Sequence, residues 1–263
     1  MKHLSILSSF AGSLIATALL PSCSIRLPVQ PHLCQQLPVR LETQPAPAAQ
    51  APDVLVWLIA DAYHTGMVFP YDWLVESGFV PPAGFGKPQS VVMSWGARCA
   101  YSKQGVNTPW KFFRVFFTPS PSVVEMIPVN WNVAEVCSQQ RIWRKLVPRT
   151  RGPALASFLN ACTIQQQGRP KVICESSWGH GVQLEGRYPY FLPRICNVWT
   201  AQTIECLGGR INPWRALTAN SLIRQAEKPP NDFEEIWPGD GSPPKPRSAT
   251  GPPAAAADPH PAD

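Results

Sequence analysis

The chain has 263 residues, 44 % of them hydrophobic and only 15 % charged, with a formal charge of +6. That apolar share excludes a wholly disordered chain and suffices for one substantial core, with room for long unstructured ends. The basic balance suits contact with anionic lipid, cell wall or nucleic acid, without choosing among them.

Residues 1–23, MKHLSILSSFAGSLIATALLPSC, join a short polar start at Lys2 and His3 to an apolar run from Leu4 to Leu20, then Ser22 and Cys23. This is the layout of an export signal, and the cysteine after Leu20-Pro21-Ser22 resembles a bacterial lipobox, in which Cys23 becomes the lipidated first residue. The bland alternative is an uncleaved anchor. Ser5, Ser8, Ser9, Gly12 and Ser13 dilute the run, which sits at the short edge of the ~20 apolar residues a span needs. The expectation is an exported protein, held through lipid on Cys23 at a bacterial membrane and facing the periplasm. Export argues against nucleic acid as the partner. It also puts Cys34, Cys99, Cys137, Cys162, Cys174, Cys196 and Cys206 in an oxidising space. Seven is odd, so full pairing leaves one thiol over, though parity does not say which.

Six of the thirty-one prolines lie between Pro28 and Pro52 and ten from Pro229 onward, so neither segment can carry regular structure easily. Residues 24–52 read as a Pro/Ala/Gln-rich tether, 228–263 as a disordered Pro-rich tail, and 53–227 as a single globular domain.

Within that domain, DVLVWLIA (53–60) and HTGMVFP (64–70) predict short strands, the second ended by Pro70. YDWLVESG (71–78) predicts a short helix closed by Gly78. PPAGFGKP is loop, lacking the spacing and the Ser/Thr of a phosphate loop. SVVMSWG (90–96) and SVVEMIPV (122–129) read as strands, KFFRVFF (111–117) is ambiguous, and EVCSQQRIWRKLV (135–147) reads as extended. Residues 152–168 predict a helix with Leu155, Phe158, Leu159 and Cys162 on one face, stopped by Gly168. KVICE (171–175) is a strand, and helices at 196–207 and 214–226 close the domain. Strands and helices do not alternate cleanly, so the expected class is α+β, with a mainly antiparallel sheet packed against helices.

RICNVWTAQTIECLGG (194–209) is the most suggestive stretch, because Cys196 stands where a helix begins. A thiol must ionise to be a nucleophile, and the unpaired N–H groups and positive dipole of a helix N-terminus favour an anion there. The same N–H groups could hold an oxyanion on an attacked carbonyl. A base is also needed, usually histidine. His3, His32 and His260 fall in the signal, tether and tail, which leaves His64 and His180 in the domain. His64 opens a strand just after a loop, where an imidazole can face a cleft.

HTGMVFP with DWL, then SWGARCAY (94–101), then RYPYFLPRICNVWTAQTIECLG resemble the uncharacterised bacterial family called domain of unknown function 2459. That likeness spans about residues 53–215. The family's order, strand histidine before helix cysteine, is in turn similar to circularly permuted papain-like thiol hydrolases of the NlpC type and to lecithin retinol acyltransferase. The resemblance implies a permuted papain-like fold, Cys196 as nucleophile and His64 as base, with Thr65, Trp95, Asn197, Trp199 and Thr200 as motif neighbours. The family's Gly-Trp-Gly-Asp segment is Ser94-Trp95-Gly96-Ala97 here, so a carboxylate that could orient the histidine is missing, and the family's threonine before the cysteine is Ile195. Ser94, Asp61, His180 and Glu185 stand as possible replacements for the third member.

No metal or other cofactor is expected: Cys174 and His180 lack companion ligands at metal-site spacing. There is no G-x-S-x-G elbow. RIWRKLVPRTRG could bind anionic lipid or wall polymer, or be a solvated face. Two functions follow as expectations. One is a cysteine-dependent hydrolase or acyltransferase acting on an amide or ester of a cell-wall peptide or lipid. The other is an inactive envelope lipoprotein that binds cell-wall or membrane components.

Overall fold

The computed structural model describes residues 52–101 and 108–239. The expected export signal with Cys23, almost all of the expected tether and the end of the tail lie outside the described residues. The domain is mixed α and β, built on one eight-stranded sheet in which every pairing is antiparallel.

At the centre of the sheet lie β1 (Val54–Ala60), β2 (Thr65–Pro70) and β3 (Ser90–Ala97), flanked by β4 (Ser122–Val129) and β5 (Arg141–Val147). The spatial order is completed by β8 (Val172–Glu175), β9 (Val182–Glu185) and β10 (Glu234–Trp237), as β10-β5-β1-β2-β3-β4-β9-β8. The sheet is buried on both faces over its middle. Val56, Leu58 and Ala60 of β1 enter the main core, while Ile59 enters a smaller cluster with Val68, Val92, Val129, Val133 and Ile142. That double burial explains why β1 reads as an unbroken apolar run rather than an alternation.

Over the main face lies α5 (Cys196–Cys206), packed on β2 and β3, with α1 (Tyr71–Glu76) and α4 (Gly152–Ala161) beside it. Ten of the eleven residues of α5 are buried, including Asn197, Thr200, Gln202 and Thr203. It is therefore a central helix enclosed on all sides. Its buried threonines are accommodated by hydrogen bonds, such as Thr203 Oγ1 donating to the Trp199 carbonyl at 2.9 Å and Thr200 Oγ1 to the Thr65 carbonyl.

Several expected boundaries shift. The ambiguous 111–117 segment is helical, as α2 (Pro109–Phe117): Thr108 caps it by accepting the Lys111 N–H, and Pro109 sits in its first turn. Only the latter part of 135–147 is extended, because Asn132 caps a short helix, α3 (Val133–Val136), ahead of β5. The helix expected to reach 168 stops at Ala161. Gly168 closes instead a hairpin between β6 (Gln165–Gln166) and β7 (Arg169–Pro170), where Gln167 and Gly168 both take positive φ, 53° and 76°. The 214–226 segment divides into a 3₁₀ turn, Pro213–Arg215, and α6 (Ala219–Ala226), which starts on a Thr218/Ser221 capping box. The domain also runs past 227. Phe233 is buried in the core and β10 pairs with β5, so the Pro-rich composition from 229 onward concealed a strand.

The basic stretch is largely neutralised by that strand. Arg141 pairs with Glu235 and Arg144 with Glu234, each at 2.9 Å, while Arg149 pairs with Glu76 and Lys145 donates to the Asn231 carbonyl.

Candidate active site

Cys196 is the first residue of α5 and a free thiol, only 6 % exposed. The N-cap position is Ile195, whose side chain makes no capping hydrogen bond. An ordinary Ser, Thr or Asp cap would accept from the first-turn N–H groups; here no side chain at the cap position does. The Cys196 sulfur lies 3.8 Å from Asn197 Oδ1, and the Asn197 backbone N–H helps to lower its pKa.

His64 lies one residue before β2, half-buried, and near enough to Cys196 for the charge of each to shift the other's proton affinity. Its approach is fixed from two sides. Asp61 Oδ1 accepts the backbone N–H groups of Tyr63 and His64 at 2.8 and 2.7 Å, a tight turn that sets where β2 begins. The buried hydroxyl of Thr65, the next residue, lies 3.0 Å from Asn197 Oδ1 and 2.9 Å from Thr200 Oγ1, sharing its one proton between them. Thr200 Oγ1 in turn donates to the Thr65 carbonyl at 3.3 Å, so the start of β2 is clamped to the first turns of α5. The motif neighbours Thr65, Asn197 and Thr200 thus hold histidine and cysteine together rather than facing a ligand. Trp95 and Trp199 are fully buried core residues, Trp95 stacking against Tyr190 with centroids 5.1 Å apart.

Tyr101 contacts the outer ring nitrogen of His64, its hydroxyl lying 2.8 Å from Nε2. Ser94 Oγ is 2.9 Å from the same hydroxyl. The four candidates for the third position fare differently. Ser94 reaches the histidine through Tyr101, and Asp61 acts through backbone N–H groups and through its charge, which helps to raise the His64 pKa. His180 is exposed in the turn between β8 and β9, and Glu185 is committed to Lys171 at 2.6 Å. Tyr101 was within the SWGARCAY motif but was not recognised, because a phenol is a rarer partner for imidazole than a carboxylate. Gly96 carried the signal. A Cβ there would sit 2.5 Å from Tyr101 Cε2, so the glycine is the seat of the tyrosine ring.

Two further groups were missed. Tyr190, 3.9 Å from Cys196 Sγ, donates its hydroxyl to the sulfur. Glu125 on β4 is 4 % exposed, faces Ser94 across the β3–β4 pair, and accepts the Ser176 hydroxyl at 2.6 Å. A carboxylate in the otherwise apolar run SVVEMIPV was its visible mark.

The electrostatics separate Cys196 from its neighbours. Burial pushes the Cys137 and Cys162 thiols up to about 12. Burial opposes ionisation of Cys196 too, but the His64 charge and hydrogen bond, the Tyr190 hydroxyl and the Asn197 N–H outweigh it and bring that thiol below its ordinary value. His64 shows the mirror pattern: burial lowers it, and the Cys196 charge and hydrogen bond, then Asp61 and Glu125, raise it above 6.5. Burial raises Tyr101 and Tyr190, so both phenols keep their protons and can donate. Opposite shifts on the two partners mean that each favours the charged form of the other.

The whole arrangement is a mixed α and β domain carrying a buried thiol–imidazole pair at the start of its central helix. The chain matches no protein-family model, no curated protein and no solved structure. Among the described residues no group of three or more His, Cys, Asp or Glu could hold a metal ion, and no helix is long and apolar enough to cross a membrane.

Proposed function

We propose that the domain is a cysteine-dependent hydrolase or acyltransferase with a permuted papain-like fold, related to the domain of unknown function 2459 family. One observation carries the reading. Cys196 opens a helix that no side chain caps and accepts the Tyr190 hydroxyl beside His64, which draws its thiol below the ordinary value, whereas burial pushes that of Cys162 up to about 12. Burial alone makes a thiol inert, so the arrangement is one that spends packing on a reactive sulfur.

The chemistry follows from the contacts. The Cys196 thiolate attacks the carbonyl carbon of an amide or ester, forming a C–S bond while the carbonyl oxygen takes the electron pair. First-turn N–H groups of α5 stabilise that oxyanion. The His64 imidazolium gives its proton to the departing amine or alcohol as the C–N or C–O bond breaks, leaving a thioester. Water, or an acceptor hydroxyl or amine, then attacks the thioester carbon and gives its proton to His64; the C–S bond breaks, its electron pair returns to Cys196 as thiolate, and the acid or the acylated acceptor departs. Throughout, Tyr101 serves either state of His64: its oxygen accepts from a protonated Nε2, or its hydroxyl donates to a bare one. Substrates of the cell envelope, a wall peptide or a lipid acyl group, fit the export signal expected from residues 1–23.

The test is the alkylation rate of Cys196 against pH in the whole chain, for wild type and His64→Ala, with mass spectrometry assigning the modified cysteine. Wild type should alkylate with an apparent pKa below the ordinary ~8.5 of a free thiol. His64→Ala should raise that pKa and slow the reaction at neutral pH roughly a hundredfold. A Cys196 as slow as Cys162, or indifferent to His64, would leave a binding lipoprotein on an inactive scaffold as the better reading.

A further inference from the structure

The outer face of α2 is the least expected surface on the molecule. Val115 is buried and Phe116 packs against the core, which is the helix's anchoring side. On the other side Trp110, Phe113 and Phe117 are 71 %, 49 % and 59 % exposed. At i, i+3 and i+7 they form one stripe, and their rings stack in series, with centroids 5.8 Å apart for Trp110–Phe113 and 4.7 Å for Phe113–Phe117. Single exposed aromatics are commonplace; a contiguous stacked ladder of three marks an interaction surface.

The helix that carries the ladder bears charge of one sign. Residues 109–117, PWKFFRVFF, carry Lys111 and Arg114 and no carboxylate. The adjoining segment 187–195, RYPYFLPRI, carries no carboxylate; its Arg194 guanidinium lies over the Phe191 ring, 5.4 Å from the centroid, while Arg187 turns to the Thr163 carbonyl. The two are joined where the Leu192 N–H donates to the Phe116 carbonyl at 2.7 Å, with Leu192 itself exposed beside the last turn of α2. Aromatic rings along one edge of a helix, with cations beside them and no acid, match the boundary of a bilayer. Rings enter the acyl–headgroup region there and ammonium and guanidinium groups meet anionic headgroups. A protein partner would need no such uniform sign.

We propose that α2 docks the domain on a lipid bilayer bearing anionic headgroups, with Trp110, Phe113 and Phe117 inserted and Arg114 at headgroup level. The docking surface is close to the thiol. Phe116, on the inner side of the same helix, meets the Tyr190 ring edge-on at 6.0 Å, and Tyr190 donates to Cys196. Docking itself uses no step of the proposed chemistry, so it stands or falls separately from it.

Residues 1–51 carry an apolar run of their own, so the experiment must read α2 locally. The full chain is exposed to vesicles of phosphatidylcholine alone, or mixed equally with phosphatidylglycerol, and amide hydrogen exchange is followed by mass spectrometry in peptides covering 109–117. Protection should appear there with phosphatidylglycerol, and equally in Cys196→Ser. It should vanish in Trp110→Ser/Phe113→Ser/Phe117→Ser, whose vesicle affinity should drop at least about tenfold. Lys111→Glu/Arg114→Glu keeps the ladder and should lose the preference for phosphatidylglycerol. Unchanged exchange in 109–117 with both vesicles overturns the proposal. So does protection that follows protein concentration without lipid, which would assign the ladder to a second copy of the chain. Equal protection by the two vesicles overturns the assignment of anionic headgroups.

Discussion

Tyr101 decides how His64 can behave, because its hydroxyl is both donor and acceptor. A carboxylate at that place would add a negative charge and pull the imidazole firmly towards its protonated form. A phenol kept neutral by burial orients the ring without that pull, and the charge is supplied from further off by Asp61 and Glu125. Tyr101→Phe should therefore leave the fold intact and slow Cys196 alkylation at neutral pH by roughly tenfold, the loss of one hydrogen bond worth about 1.4 kcal/mol. Ser94→Ala, one bond further out, should have the same sign and a smaller effect. Gly96→Ala should act on Tyr101 through space: the new methyl overlaps the tyrosine ring, so reactivity and thermal stability should fall together. A Tyr101→Phe protein alkylating at the wild-type rate across the pH range would show that the histidine is oriented by Asp61 and Thr65 alone.

The elements that carry the site are β2 and α5, and what joins them is the buried hydroxyl of Thr65. Thr65→Val keeps the shape and removes a donor, leaving Asn197 Oδ1 and Thr200 Oγ1 short of a partner inside the protein. The expected cost is about 1–3 kcal/mol, read as a lower urea midpoint with an unchanged slope. Thr65→Ser, which keeps the hydroxyl, should recover most of it. These same elements mark how far the sequence could be read. Strand histidine and helix-start cysteine were legible because each depends on local pattern: the apolar run that makes β2, and the helix signal that begins at Cys196. The clamp and the Tyr101 contact were not, because Thr65 to Thr200 and His64 to Tyr101 are pairings made by the sheet order, which no local window contains. Proline content misled at β10, where Phe233 and the Glu234 and Glu235 ion pairs outweigh a composition that suggests disorder. Periodicity was a weak guide to α5, since a helix enclosed on every side has no polar face to display.

Across the whole molecule, folding stability should carry the imprint of Glu125. Burial raises its carboxyl above 4.5, against the opposing pull of the Ser176 hydroxyl and the His64 charge. A carboxyl whose folded pKa exceeds its unfolded value holds its proton more tightly in the native state. Its favourable contribution is then complete below the unfolded pKa and is lost as pH rises through the folded one. Above its folded pKa the ionised Glu125 is a net cost to the fold, and its charge helps to raise His64. Glu125→Gln keeps an acceptor for Ser176 and removes the buried charge. Its melting temperature should exceed that of wild type at pH 7, by about 2–4 °C for each kcal/mol relieved, and the gap should close as pH falls towards about 4.5, where the wild-type carboxyl is protonated too. The same variant should alkylate more slowly at neutral pH, because the imidazolium loses a supporting charge. Higher stability with lower reactivity would identify Glu125 as a strained part of the site. A variant less stable than wild type at pH 7 would mean instead that the carboxylate is paired strongly enough to hold the sheet, and that its charge serves the fold before the thiol.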